Sequence, residues 1–278
     1  MGMENRYPTS DLWLTHSYKC SSTILAAIGS QETVRLQMDG QTTFIAYEIF
    51  ATSAVAGSVG QIPRGPFSTV IKKNGQTYMN AAVRSEALWG TTPTISGLQT
   101  YLPMRLRIPI IIEPSTEFNI DLVNLFAGAN DVTLTFRGIR VYDKAMAAKI
   151  GRVRSDGKMT RYPTEPYWYV LNQVLGASAR QQANVQILER GDYVVQAMTG
   201  FSTGRYQVRF SDSGKAQSNW DDSLTDDTTV IGSAHYPNWI HPRTVRPGAT
   251  LTADLVDTSV AGNTIQIALM GYHRQALA

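Results

Sequence analysis

A single cysteine, Cys20, stands in 278 residues, so no disulfide can form within the chain and cysteine usage says nothing about redox compartment. A lone Cys reads as a small buried hydrophobe. No run approaches the roughly 18 unbroken apolar residues of a membrane helix; "STILAAIG" (Ser22 to Gly29) is far too short. The opening "MGMENRYPTS" lacks the basic and apolar regions of a secretory signal and the Ser or Thr that myristoylation needs. Charge is scarce too, at 17% of residues, and its 25 basic and 22 acidic groups leave a net +3. That balance does not by itself imply a nucleic-acid binder. There is no HxH, no HExxH, no GxGxxG and no GKS or GKT, and His16, His235, His241 and His273 stand apart. Zinc chemistry and phosphate loops therefore lack their usual residues.

What the chain does have is repetition. "RYPTSDLW" begins at Arg6 and "RYPTEPYW" at Arg161. A longer likeness closes each half: "PSTEFNIDLVNLFAGANDVTLTFRGIR" from Pro114 aligns without a gap with "PGATLTADLVDTSVAGNTIQIALMGYH" from Pro247. Asp121-Leu122-Val123 meets Asp254-Leu255-Val256, Asn130 meets Asn263, and Gly138 meets Gly271. Phe118, Ile120 and Leu122 alternate with polar residues, as do Val132, Leu134 and Phe136. A period of two means half-buried strands. The Gly- and Asn-rich "NLFAGAND" between them suits a turn, so each half is expected to close on a β-hairpin.

The middle of each half also reads as strands. Thr42–Phe50 is aligned with Asp192–Gly200. Asn74-Gly75 marks a tight hairpin, with its counterpart turn at Asp212-Ser213-Gly214. "LWGT" at Leu88 matches "VIGS" at Val230, and each is followed by a Pro-bearing run of the kind found on edge strands. The one fair helix signal is Tyr142–Arg154. It falls in a basic stretch (Lys144, Lys149, Arg152, Arg154, Lys158), read as a solvated linker or a docking strip for an acidic surface. The fold class expected is all-β: two tandem homologous antiparallel β-sandwich (jelly-roll-like) domains joined by a short, partly helical linker. The division is an N-terminal arm and first strand over 1–20, a first sandwich over 6–142, a linker over 143–160 and a second sandwich over 161–278.

Chemistry is hard to find. "GFSTG" (Gly200 to Gly204) matches the nucleophile-elbow pattern, but the alternating "RYQVRF" after it reads as a strand where the elbow needs a helix, so Ser202 is expected in a hairpin loop. "DDSLTDD" (Asp221 to Asp227) gathers four carboxylates without the spacing or central Gly of a calcium loop. It reads as a solvated acidic loop, or else a weak calcium site or a contact to a neighbouring subunit. Trp13, Trp89, Trp168 and Trp220 sit in or beside strands and suit the core. Tyr236 and Trp239, in a Pro-rich loop, could anchor a protein or a sugar, together with Trp220. The same holds for Tyr162 and Trp168, if that strip is a docking arm. Tyr7, Trp13, Arg152 and Arg154 complete the partner-binding candidates, on the two least globular segments.

The second half resembles a module of virion structural proteins of tailed bacteriophages. Asp192-Tyr193, Asp212 to Lys215, Ser218-Asn219, Pro247-Gly248 and Gly271-Tyr272 carry the likeness. The first half departs from it, with Pro114-Ser115 in place of Pro-Gly and "RGIRVY" in place of "MGYHR". The resemblance implies a non-enzymatic protein of the head decoration, collar or neck, assembled into the virion in the host cytoplasm. Its implied partners are copies of itself and the major capsid, portal or other head–tail proteins, with no cofactor, no direct nucleic-acid recognition and no membrane. The rival expectation is a tail-associated receptor- or carbohydrate-binding module.

Overall fold

The computed structural model describes residues 13–20, 23–36, 38, 40–55, 65–89, 103–142, 166–189, 191–214, 219–233 and 237–274. Its first half holds two antiparallel sheets. One runs β1 (Trp13–Lys19), β10 (Asn130–Val141), β4 (Thr43–Val55), β8 (Met104–Ile112), with β2 (Thr23–Leu25) also on β10. The other runs β3 (Gln31–Arg35), β9 (Phe118–Asn124), β5 (Phe67–Lys73), β6 (Gln76–Thr77), with β7 (Val83–Arg84) on β5. The second half repeats this arrangement without counterparts of β2 and β6. One sheet runs β11 (Pro166–Leu175), β18 (Asn263–Arg274), β13 (Asp192–Ser202), β16 (Asn238–Val245). The other runs β12 (Arg180–Gln186), β17 (Thr250–Asp257), β14 (Tyr206–Asp212), β15 (Thr225–Asp226). Each half is thus a jelly roll of two facing sheets. The described helices are single turns, α1 (Ser85–Leu88) and α2 (Asp227–Val230), set at the same place in the two halves.

The alternation read from the sequence is the alternation of burial. β9 buries Phe118, Ile120 and Leu122, and β10 buries Val132, Leu134 and Phe136. Their partnership differs from expectation. β9 and β10 do not pair: β9 lies between β3 and β5, and β10 between β1 and β4. β17 and β18 are split between sheets in the same way. The closing element is an arch that carries the chain from one sheet to the other, with Phe118 and Phe136 meeting edge-on across the core, centroids 5.6 Å apart. Period two fixes which face is buried and leaves open which strand lies alongside. Buried asparagines hold the arch. Asn124 accepts from Phe126 N (3.0 Å) and donates to Gly128 O (2.9 Å), and Asn130 donates to Gly65 O (3.0 Å). In the second half Asn263 Oδ1 accepts from Thr203 N (3.1 Å) and Gly204 N (2.9 Å).

The repeated glycines have a steric cause. A Cβ on Gly138 would lie 1.9 Å from Ile45 O, and one on Gly271 would lie 2.1 Å from Val194 O. Each sits at a bulge, where Tyr47 or Gln196 is the extra residue in the facing strand. The strand registers correct two alignments. Thr43 pairs with Val141 as Asp192 pairs with Arg274, so Thr43, not Thr42, corresponds to Asp192. The "RYPT" likeness is out of step as well. Trp168 pairs with Met270, whose counterpart Arg137 pairs with Ser17, so Trp13 and Trp168 stand four residues apart in the repeat.

Other expectations hold. Asn74 and Gly75 turn with φ of 49° and 78° between β5 and β6. Pro109 and Pro242 lie in β8 and β16, the edge strands of their sheets. Residues 13–19 of the N-terminal arm are an integral strand, paired along β10. The helix signal at Tyr142–Arg154 and the linker 143–160 lie outside the described residues apart from Tyr142.

Candidate functional site

The two jelly rolls meet face to edge, and this junction is the most elaborate side-chain arrangement in the described chain. Trp168, expected as a partner anchor, is buried at 1% exposure inside it. Alternation along β11 sends Tyr167, Tyr169 and Leu171 into the second half's core and Trp168 and Val170 into that of the first. Ala197, Ala268 and Met270 join Trp168 and Val170 there. Tyr78 packs edge-on to Trp168, centroids 6.4 Å apart.

β11 is an edge strand whose outward backbone groups would otherwise need solvent or a foreign strand. The first half supplies the missing partner. Trp168 N donates to Tyr78 O (2.8 Å), and Asn80 N donates to Trp168 O (3.4 Å). Asn80 then uses its side-chain amide as a peptide would: Oδ1 accepts from Val170 N (2.6 Å) and Nδ2 donates to Val170 O (3.1 Å). Further along, Gln266 Oε1 accepts from Arg84 N (2.7 Å), and Gln266 Nε2 donates to Ala82 O (3.1 Å) and Asn172 Oδ1 (2.7 Å). The Arg84 guanidinium lies 3.8 Å over the Phe201 ring and pairs with Glu86 at 3.0 Å. The junction thus combines apolar burial with partners for the outward backbone groups of Trp168 and Val170. Sequence reasoning missed it, although "YWYVL", "VVQAM" and "IALMG" carry the signal: apolar on both faces means covered on both.

The remaining candidates are scattered. Trp13 is in β1 opposite Val141, and Trp239 in β16 opposite Ala197; their side chains, with Tyr7, Arg152, Arg154, Tyr162 and Tyr236, lie outside the described residues. Trp220 leaves the proposed aromatic cluster. It is 8% exposed, stacked on Phe210, with its indole N–H on Asp212 Oδ2 at 3.1 Å. Ser202 ends β13 and a short turn leads into β14, so the elbow geometry is absent there. Burial pushes the Cys20 thiol up to about 12, which leaves it protonated and unreactive. His273 lies among Tyr167, Tyr169 and Tyr193. Its Nδ1 is 3.2 Å from Gly191 O and its Nε2 3.1 Å from Tyr169 Oη. A carbonyl only accepts, so Nδ1 carries a proton. Among the described residues no group of three or more His, Cys, Asp or Glu is placed to hold a metal.

The repeated aspartates are structural. Asp254 takes Arg180 (2.6 Å) and Arg209 (3.1 Å) from the strands on either side of β17. The Arg180 hydrogen bonds hold its carboxyl below the usual carboxylate range against the opposing effect of burial. Asp121, its counterpart, is paired with Lys72 and accepts from Thr33 Oγ1 (2.8 Å); these partners outweigh its desolvation and lower it too. Asp227, which the sequence places in an acidic loop and the structure places at the start of α2, goes the other way, raised by burial.

No protein-family model and no curated protein matches the chain. Solved structures do. The STIV MCP matches with a TM-score of 0.49 and 10% identity over 93% of this chain and 97% of that one. The major capsid protein P2 from bacteriophage PM2 gives 0.43 and 11% over 94% and 98%. The PBCV-1 virus capsid gives 0.43 and 10% over 99% of each.

Proposed function

We propose that this chain is a non-enzymatic structural protein of a virus particle whose work is to bind copies of itself and neighbouring virion subunits. The observation that supports this best is the junction around Trp168. One jelly roll of this chain is already built to cover the outer face and edge of another, and a module that docks on its own kind is what a shell requires. The capsid proteins among the similar structures agree with this reading but, at those scores and identities, do not carry it. The motifs shared with tailed-phage virion proteins support the narrower assignment, with coat, portal or neck subunits as partners and the sandwiches divided as 6–142 and 161–278. With Trp220 in the core, the carbohydrate-binding reading loses one of its three exposed aromatics.

The test is assembly of the purified full-length chain, followed by sedimentation velocity and negative-stain microscopy, beside a glycan array. Concentration-dependent growth into regular oligomers without glycan binding is expected. A chain that stays monomeric at every concentration and binds glycans would overturn the reading.

A further inference from the structure

The internal junction has a counterpart that the chain itself leaves unfilled. β1 holds in the first half the place that β11 holds in the second, as the edge strand on β10 and β18 respectively. Among the described residues no strand lies on its other side. The backbone positions that Trp168 and Val170 occupy are taken by Ser17 and Lys19, both exposed. On the adjoining face Ala268 and Met270 are replaced by Thr135 and Arg137, and Ala197 by Glu48. With Arg105, which pairs with Glu48 at 3.3 Å, this part of the outer face gathers Lys19, Arg105 and Arg137 around Glu48.

The docking segment has a counterpart too. Tyr78 N bonds to Ile71 O and Trp220 N to Phe210 O, and Ile71 and Phe210 are equivalent through their pairing with Ile120 and Ala253. Tyr78, Met79 and Asn80 therefore map onto Trp220, Asp221 and Asp222, and Arg84 onto Asp226. The second half presents an acidic version of the segment that the first half uses to cover β11, and the first half presents a basic version of the face so covered.

We propose that the acidic segment Trp220–Asp226 of one copy docks on the β1 edge and basic outer face of the next copy, head to tail, repeating between chains the contact made within each chain. This names the partner and surface for the assembly role proposed above and rests on it. Asp222 stands where Asn80 stands. As a carboxylate it can accept from the Lys19 backbone N–H and pair with the Lys19 ammonium, where Asn80 both accepts from and donates to Val170. The Trp220 carbonyl takes one bond from Arg243 (2.8 Å) and keeps a second lone pair for the Ser17 N–H. The difference in chemistry suits the difference in role. The contact within the chain is apolar and permanent, and the contact between chains is polar, so it can form and dissolve with concentration and salt.

The experiment is sedimentation velocity on the full-length chain and on Lys19→Glu, Asp222→Lys and the double variant carrying both. Both side chains are exposed, so all four proteins are expected to melt alike. Each single reversal should raise the concentration needed for association by about tenfold or more, and the double variant, which restores the ion pair but not the acceptor for the residue-19 backbone N–H, should recover part of that loss. Raising salt should weaken wild-type association in the same direction. If wild type assembles and the reversals leave assembly unchanged, or weaken it without rescue in the double variant, this docking is wrong while the assembly role stands. If wild type never assembles, both fall.

Discussion

β10 and β18 are the same strand in two copies of one fold, yet they are buried differently. From Asn130 to Phe136, β10 alternates between buried and half-buried, whereas from Ile265 to Gly271, β18 is buried at every position. Inner-face residues are alike, Val132, Leu134 and Phe136 against Ile265, Ile267 and Leu269. Outer-face residues are not: Thr133, Thr135 and Arg137 stand against Gln266, Ala268 and Met270. The inner face is dictated by the jelly roll and the outer face by what covers it. In the second half the first half covers it; in the first half nothing described does. The same strand pairings thus yield an outer face closed along β18 and one left open at Thr133, Thr135 and Arg137, while Ile45 and Ile139 farther along the first sheet are buried.

The sharpest break of this comparison is at Trp168. Trp168→Ala is expected to cost about 3–5 kcal/mol and to divide the single melting transition into two as the halves lose their clasp. Ser17→Ala, at the corresponding place in the first half, should shift stability by less than about 0.5 kcal/mol. Differential scanning calorimetry of both variants decides it, and equal effects would mean that the two outer faces are not different after all.

The arches come next. Asn263→Ala strips the partner from the backbone N–H groups of Thr203 and Gly204, and should cost roughly 2–3 kcal/mol in urea unfolding. Asn130→Ala gives up one bond to Gly65 O at 3.0 Å and a long one of 3.5 Å to Asn124, and should cost about 1 kcal/mol. Reversal of that order would put the tighter arch in the first half.

The smallest expected difference is electrostatic. Asp254, with side-chain exposure of 6% and two arginines, should lose about 1–2 kcal/mol on change to Asn. Asp121, at 32% exposure with one lysine, should lose less than about 1 kcal/mol. Both carboxyls titrate lower when folded than when unfolded, so their stabilisation is present above the ordinary carboxylate value and is lost as pH falls through the depressed one. The gap between wild type and each variant should therefore close in acid, as thermal melts across pH can show.

Much of this molecule is legible in its sequence, and the limits are physical. Phe118–Leu122 and Val132–Phe136 announced strands and their buried faces because side chains alternate whatever the partner strand. They could not announce the arch, since a hairpin and a sheet crossing share that alternation and a Gly-rich connection of similar length. Gly138 and Gly271 were visible as a repeat but not as bulge partners, because the carbonyl each accommodates comes from a strand far away in the chain. The sequence suits Trp168 to the core or to a docking arm, and it is both at once: an anchor whose partner is the other half of its own chain. The unbroken apolar runs in β11, β13 and β18 held that answer, and reading them against the alternation of β1, β4 and β10 would have found it.

The most direct test of the central claim is hydrogen exchange on the full-length chain, dilute and concentrated, following the outward amides of the two equivalent edges. The account predicts that Trp168 and Val170 are protected at every concentration, while Ser17 and Lys19 exchange rapidly when dilute and become protected as the chain assembles. Rapid exchange at Trp168 in the dilute protein, or an unprotected Ser17 and Lys19 in the assembled one, would contradict it.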